Sequence, residues 1–402
     1  MSLLATLSSC WQRFQADLFP GLREVVGPLS ERQERFVMVL DLARVEALTP
    51  HWHGLPGRPP AERAALARAF VAKAVFDVPT TSLLVDRLKV DKTLRRLCGW
   101  ERAQAVPSEA TFSRAFAEFA ASALPTRLHE TLIATSHKDQ LVGHISRDAT
   151  AIEAREKPVT VAAPEKPKGK RGRPRKGEEP PAKEVRRIER QVGQSLEAML
   201  ADLPKHCARG VKRNAKGYTE TWTGYKLHLD VADGGIPISC VLTAASVHDS
   251  QVAIPLATMT AARVTSLYDV MDSAYDDPMI RSHSQSLGHV PLIDVNPRAN
   301  KELKQELEAE AKRRQLLGHK LAEEVRYNER TTAERANARI KDEFGGRNVR
   351  VRGNAKVMCH LMFGTLVLTI DQLLRQRAGM VTLAFITSTN DLTTPRMAKI
   401  SM

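Results

Sequence analysis

Aromatic side chains are scarce: Phe, Trp and Tyr make up 5% of the 402 residues. Aliphatic side chains must therefore fill most of any core, and the 43% hydrophobic content allows a sizeable one. Cysteine is nearly absent and unpatterned. The five, Cys10, Cys98, Cys207, Cys240 and Cys359, are odd in number, far apart, and form no Cys-x-x-Cys. That spacing argues against a zinc site and a disulfide framework, and a reducing cytosol is the expected compartment. The N-terminus has no basic n-region and reaches Trp11-Gln12-Arg13 early, so it does not read as a signal peptide. The longest apolar run, near Leu361 to Ile370, lies between His360 and Asp371. It is too short to span a bilayer and reads as a buried helix, so no membrane partner is expected.

What the chain has in excess is positive charge: 60 Lys and Arg against 46 Asp and Glu, a formal +14. A soluble chain of this balance suits a polyanionic partner, DNA or RNA first, although a merely basic protein has the same composition. The length suits two or three domains. Residues 1–138 lack strand alternation and contain Ala- and Leu-rich segments such as Pro60 to Phe70. Ser108 sits at an N-cap position, and Phe112, Phe116 and Phe119 follow on one helical face. A helical N-terminal domain is expected, either a DNA-reading helix-turn-helix or an ordinary bundle.

A short strand at 141–148 ends in Asp148, and composition then shifts. Between Arg155 and Arg190 stand 13 Lys or Arg, 6 Asp or Glu and 6 Pro, with little to bury. A basic disordered insertion is expected over 155–216. Within it, Lys170-Arg171-Gly172-Arg173-Pro174-Arg175-Lys176 resembles an AT-hook, whose two arginines, here Arg171 and Arg173, lie in the narrow minor groove of A·T-rich DNA. A solvated basic loop reads the same way.

Strand alternation returns at Thr221 to Val231, Asp233-Gly234-Gly235 is a turn, and Ile236 to Val247 completes a hairpin. A helix, the strand Leu267 to Met271, another helix and the strand His289 to Val295 follow. Asn300 then caps a long charged helix that Gly318 interrupts. This order is the layout of a ribonuclease H-like α/β core, a mixed five-stranded sheet with helices, over 139–378 with a tail at 379–402.

The layout sets Asp148 at the end of the first strand and Asp272 at the end of the fourth, which neighbour each other in such a sheet. Glu334 arrives from the helix after the fifth strand. Three converging carboxylates repel unless cations sit between them, and two Mg²⁺ ions, or Mn²⁺ in their place, would resolve the repulsion at a phosphodiester. Each aspartate is also a plausible turn or cap residue. Around Glu334, the residues Tyr327, Arg330, Glu334 and Lys341 are separated by three, four and seven positions, which is one stripe of a helix. The same segment also fits an ordinary i,i+4 ion pair and a capping box with Thr331 as N-cap and Glu334 at N3.

Taken together, these segments resemble bacterial insertion-sequence transposases of the Asp-Asp-Glu type, in the group with a Tyr-(2)-Arg-(3)-Glu-(6)-Lys signature. That signature reads without a gap as Tyr327, Arg330, Glu334 and Lys341. The segment Arg147 to Ala154 is similar to the family's first-aspartate block and Met271 to Asp276 to its second, where Ser273-Ala274 departs from the usual pair. Gly224 to His228 and Ala245 to Ser250 resemble its second and third strands, and Ser108 to Arg114 its N-terminal segment.

The resemblance implies that Asp148, Asp272 and Glu334 are metal ligands and that Tyr327, Arg330 and Lys341 hold phosphates of a transposon end. His248 and Asp249 either support the ligands or make a structural hydrogen bond at a strand end. The implied activity is metal-dependent cleavage at the ends of an insertion sequence and joining to target DNA. A homodimer on two terminal inverted repeats, in the cytoplasm on the nucleoid, is the expected state. A DNA-binding regulator without chemistry, and a nuclease of the same fold, remain as alternatives.

Overall fold

The computed structural model describes residues 27–50, 60–137, 140–159, 185–213, 217–298, 300–318 and 320–391. The AT-hook-like segment with Arg171 and Arg173 lies outside the described residues.

The N-terminal part is helical, as its sequence requires. α1 (Glu31–Ala43) opens with a capping box between Ser30 and Gln33. α2 (Arg63–Val75) is Ala-rich and buried on nearly all sides, which suits the centre of a helical layer. α3 (Thr81–Val90), α4 (Lys92–Cys98), α5 (Glu109–Ala121) and α6 (Leu124–His137) complete it. Phe112, Phe116 and Phe119 share a buried face of α5 and meet the Phe70 ring at 5.8, 5.0 and 6.2 Å.

β1 (Leu141–Glu153) follows and runs past Asp148, longer than the expected short strand. The expected unstructured insertion is folded over 185–213. It forms α7 (Arg187–Gln191), α8 (Leu196–Asp202) and β2 (Ala208–Arg213). The reason is visible in a few apolar side chains: Ile188, Met199 and Leu203 are buried against the sheet's covering helices. A charge count averages over these anchors and misses them.

β3 (Thr219–Ala232) and β4 (Ile236–Ala244) form the expected hairpin. Its turn needs Gly234 and Gly235, both at positive φ (76° and 78°), where a β-carbon is strained. Next come α9 (Ser250–Ala261), β5 (Thr265–Met271), α10 (Pro278–Ser286) and β6 (Val290–Ile293). α11 (Lys301–Leu317) is capped by Asn300 and ended by Gly318 as expected, and buries none of its residues. α12 (Ala322–Tyr327), a short 3₁₀ turn (Asn328–Arg330), α13 (Thr331–Asp342) and α14 (Asn354–Asp391) complete the described chain.

The sheet is mixed. Its order is β2-β3-β1-β5-β6, with β4 also on β3. It therefore has six strands rather than five, because β2 joins the N-terminal part of β3. β1 is antiparallel to β3 and parallel to β5, and β5 is parallel to β6. The path β4-β3-β1-β5-β6 is compatible with a ribonuclease H-like core.

α14 joins the two parts. Asn354–Gln376 is long and apolar enough to cross a membrane by composition alone, yet its most apolar stretch is 78% buried. It reaches well beyond the apolar run that marked it. One continuous cluster runs from Phe36 through Phe70 and Phe119 to Leu227, Leu229 and Leu366. The helical layer and the sheet thus share one core along α14, and Phe363 stacks on Phe70 at 5.8 Å.

Candidate active site

The register of the sheet brings the two aspartates together. Arg147 pairs with Met271 across β1 and β5, so Asp148 on β1 and Asp272, the first residue past β5, each follow directly on a paired residue, and the charge of Asp272 reaches Asp148. Neighbouring strands are about 4.8 Å apart, close enough for the two carboxylates to interact directly. Asp272 also caps the 3₁₀ turn Ser273–Tyr275, with one oxygen accepting from the Ala274 amide at 2.9 Å. The capping role and the acidic pair therefore coexist in one residue.

Beneath the pair, side-chain alternation turns Arg147 to the opposite face. Its guanidinium makes two 2.7 Å bonds to Asp230 on β3, and Thr260 donates to the same carboxylate at 2.7 Å. Both partners are essentially inaccessible to solvent. This buried pair fixes the strand that carries Asp148.

α13 packs across β1 from the other direction. Ser146 donates to the Arg330 carbonyl at 2.8 Å, and Asn337 Nδ2 donates to Asp148 Oδ2 at 3.0 Å. Glu334 lies on the same stripe, between these two anchors. Its carboxylate accepts from Arg330 Nη1 at 2.6 Å, and its side chain is 47% exposed. The ordinary ion pair is thus present. The capping box is not: Thr331 lies inside a helical stretch and its hydroxyl donates to the Asn328 carbonyl. Arg330 has helical backbone angles, so no N-cap is needed there.

Electrostatics mark the same place. Burial pushes the Asp148 carboxyl up to about 6; hydrogen bonds from Ala149 and Asn337 oppose this, and the charges of Asp272 and Asp249 add to it. Asp272 is also raised, first by burial and then by Asp249, against the pull of the Ala274 amide and Arg330. Burial raises the Tyr327 hydroxyl, which hydrogen-bonds Asp294. Lys341 is lowered by burial and by Arg347 and Lys212. It lines a cavity of about 480 Å³ with Glu153, Trp222 and Arg347. Arg330 also sits 5.7 Å from the Tyr327 ring centre.

His248 bonds locally to Ser250 at 2.8 Å, so its partner is structural. Asp249 is held by Lys226 at 2.9 Å while its charge reaches both aspartates. Sequence reasoning missed Asn337, although it lies three residues after Glu334 on the stripe already singled out. It also missed Asp294 and Tyr275. The Tyr275 hydroxyl is buried, without a hydrogen-bond partner among the described residues, within the field of Asp249, Asp148 and Asp272.

Residues 146–370, more than half of the chain, match the family model described as a transposase DDE domain. The chain belongs to the DDE transposase family. Residues 26–118 match a second family, described as Transposase domain (DUF772). No curated protein and no solved structure matches. Membership makes this an enzyme of the transposase and nuclease class that acts on DNA, in a family that generally uses a divalent metal ion.

The donor chemistry of the site fits a hard divalent cation. Asp148 and Asp272 are crowded anions, and the Oδ1 atom of Asn337, whose amide bonds Asp148, is buried without a hydrogen-bond partner among the described residues. The full ligand set is not assembled. Among the described residues no three His, Cys, Asp or Glu side chains stand together in a metal-holding arrangement. The expected convergence of three carboxylates is realised as an aspartate pair, with Glu334 turned to Arg330.

Proposed function

We propose that this transposase cleaves the ends of an insertion sequence and joins them to target DNA, and that Asp148, Asp272 and Glu334 are its acidic triad. The observation that carries the reading is the β1–β5 register, which sets Asp148 beside Asp272 with the Arg330-to-Lys341 stripe against the same strand. In this reading the chain carries the Tyr-(2)-Arg-(3)-Glu-(6)-Lys signature of a bacterial insertion-sequence enzyme.

Asp148 and Asp272 would hold the divalent ions, Mg²⁺ or Mn²⁺, and Glu334, once free of Arg330, would complete the set. A bound ion would polarise the scissile phosphate and acidify a water. The chain's own groups do the rest. Asn337 holds the Asp148 carboxylate through Oδ2. Arg330 and Lys341 grip phosphates on either side of Glu334, and Tyr327 orients Arg330 across its ring. In the first reaction a water oxygen bonds to phosphorus as the bond to the 3′ oxygen breaks, leaving a 3′ hydroxyl and a 5′ phosphate. In the second that hydroxyl displaces a strand oxygen of the target. The helical N-terminal region and the AT-hook-like Arg171 and Arg173 supply further grip on DNA, and a dimer aligns two inverted repeats.

The test is a supercoiled plasmid carrying candidate ends, incubated with the full chain in Mg²⁺ or in EDTA. Metal-dependent nicking followed by joined products is expected, and Asp272→Asn should abolish both. Full activity of Asp272→Asn removes Asp272 from the site. One observation, the engagement of Glu334 by Arg330, favours a second reading in which the chain binds DNA without chemistry. Binding with no nicking in Mg²⁺ selects that reading, and nicking without joining selects a nuclease.

A further inference from the structure

A second basic site, lined by neither aspartate, lies against the start of α14. A cavity of about 390 Å³ opens between α2, α3 and α5 of the helical layer and the segment that joins α13 to α14. Its volume falls in the range of small-molecule sites, about 300–1,000 Å³. Four cations line it, Lys73, Arg350, Arg352 and Lys356, and no carboxylate does. Thr80 and Thr81, at the N-terminus of α3, also line it, the Thr80 hydroxyl accepting from the Leu83 amide as the helix cap.

Lys73 is the decisive member. It is 9% exposed, and among the described residues its ammonium makes one hydrogen bond, 3.5 Å from the Pro79 carbonyl oxygen, at the outer limit of such a bond. A buried ammonium without a close partner is costly. Burial lowers its pKa to about 8, with Asp77 opposing and Arg350 adding to the fall. Arg350 and Lys356 are exposed and have no ion-pair partner among the described residues. Arg352 donates to the Arg155 carbonyl at 3.1 Å, which holds it at the rim. Asp77 offsets part of the Lys73 charge, and the remaining cations repel unless an anion sits between them.

We infer that this cavity is a phosphate-binding site, built by the helical layer and the α13–α14 segment together. The ligand is a phosphate group, carried either by a DNA strand or by a free phosphorylated small molecule. Its occupancy ties the helical layer to the chain just beyond the Glu334 helix.

The experiment titrates the full chain with inorganic phosphate at constant ionic strength, in EDTA, by calorimetry and by thermal melting. Binding is read without a divalent ion, so a chain incapable of strand transfer still gives the result. Saturable binding is expected in the wild type. Arg350→Gln with Lys356→Gln should weaken it by about tenfold or more, as loss of a charge-assisted hydrogen bond does. Lys73→Met should weaken it further. Because Lys73 is buried, the exposed double variant carries the test should Lys73→Met fail to fold. Lys304→Gln, on the exposed α11, should change nothing. A short DNA duplex gives the second arm. If inorganic phosphate displaces the duplex from the wild type but not from the double variant, the phosphate belongs to DNA. If the duplex binds both proteins alike, the ligand is a free phosphorylated molecule. Absence of saturable phosphate binding, or equal binding by the wild type and the double variant, overturns the site.

Discussion

Asp148, within β1, and Asp272, at the end of the adjacent β5, are partly buried, whereas Glu334 rides on the surface of α13 with nearly half of its side chain in solvent. The strand-borne pair has its backbone positions set by a hydrogen-bonded ladder and by the Arg147–Asp230 pair below. Burial then raises both carboxyls, and the charge of Asp249 adds to the rise in each. The helix-borne carboxylate is screened, paired with a flexible arginine, and can be re-aimed by a side-chain rotation. A site of this kind has a rigid acidic floor and one movable acidic wall.

The sharpest way to break that contrast is to loosen the floor. Arg147→Met leaves Asp230 buried and uncompensated, which costs about 3–5 kcal/mol. Chemical denaturation should show that loss, and strand cleavage should fall with it. A loss under about 1 kcal/mol would mean that the pair does not hold β1.

Asp148→Asn should do the opposite to stability. The folded carboxyl titrates at about 6 against 3.8 unperturbed, so the folded state holds its proton more tightly than the unfolded one. Stability is then lost as pH rises from about 4 to about 6, and the whole penalty stands at pH 7. Removing the charge should stabilise the metal-free protein at pH 7 by about 1–3 kcal/mol and flatten that part of the pH profile, while cleavage disappears. Melting in EDTA from pH 4 to pH 8 measures both effects. Glu334→Gln should lose cleavage equally with no gain in stability, and that asymmetry is the signature of floor against wall.

The neighbouring of the two aspartates was legible in an element order that makes their strands adjacent; Asp272 does follow the end of β5, but Asp148 lies inside β1, which continues to Glu153. The stripe was legible because helical spacing is periodic, and Tyr327, Arg330, Glu334 and Lys341 keep it. Asn337 was hidden because an amide on a charged helix looks like any surface residue until the strand it touches is known. β2 and α7 were hidden inside a stretch whose net charge outweighs Ile188 and Met199. The union of the helical layer with the sheet was hidden too. It depends on which side of α14 faces each, and a helix apolar all round does not say.

Asn337→Ala tests how far the wall supports the floor. Loss of the 3.0 Å bond to Asp148 should lower metal-dependent cleavage by about 10–100-fold, the usual effect of removing a residue that orients a ligand. Asn337→Gln should fail to rescue, because its longer side chain cannot place the donor on the same oxygen. Titrating Mg²⁺ in the cleavage assay distinguishes a lost affinity from a lost rate.

The smallest stability effect belongs to Arg330. Its bond to Glu334 is short, 2.6 Å, yet Glu334 is half exposed and the pair is a single turn of one helix. Such pairs contribute about 0.3–0.5 kcal/mol, so Arg330→Gln should leave the melting temperature almost unchanged. Its functional effect should be larger and of two kinds. Binding to the DNA end should weaken through loss of a phosphate contact, with a shallower salt dependence, while Glu334 is released from its partner in the unbound protein. If Arg330 serves only as a lid on Glu334, Arg330→Gln should lower the Mg²⁺ concentration needed and leave end binding intact. If it serves the phosphate, end binding falls and the Mg²⁺ requirement stays. Measuring both in one variant assigns the arginine to the wall itself or to the DNA that leans on it.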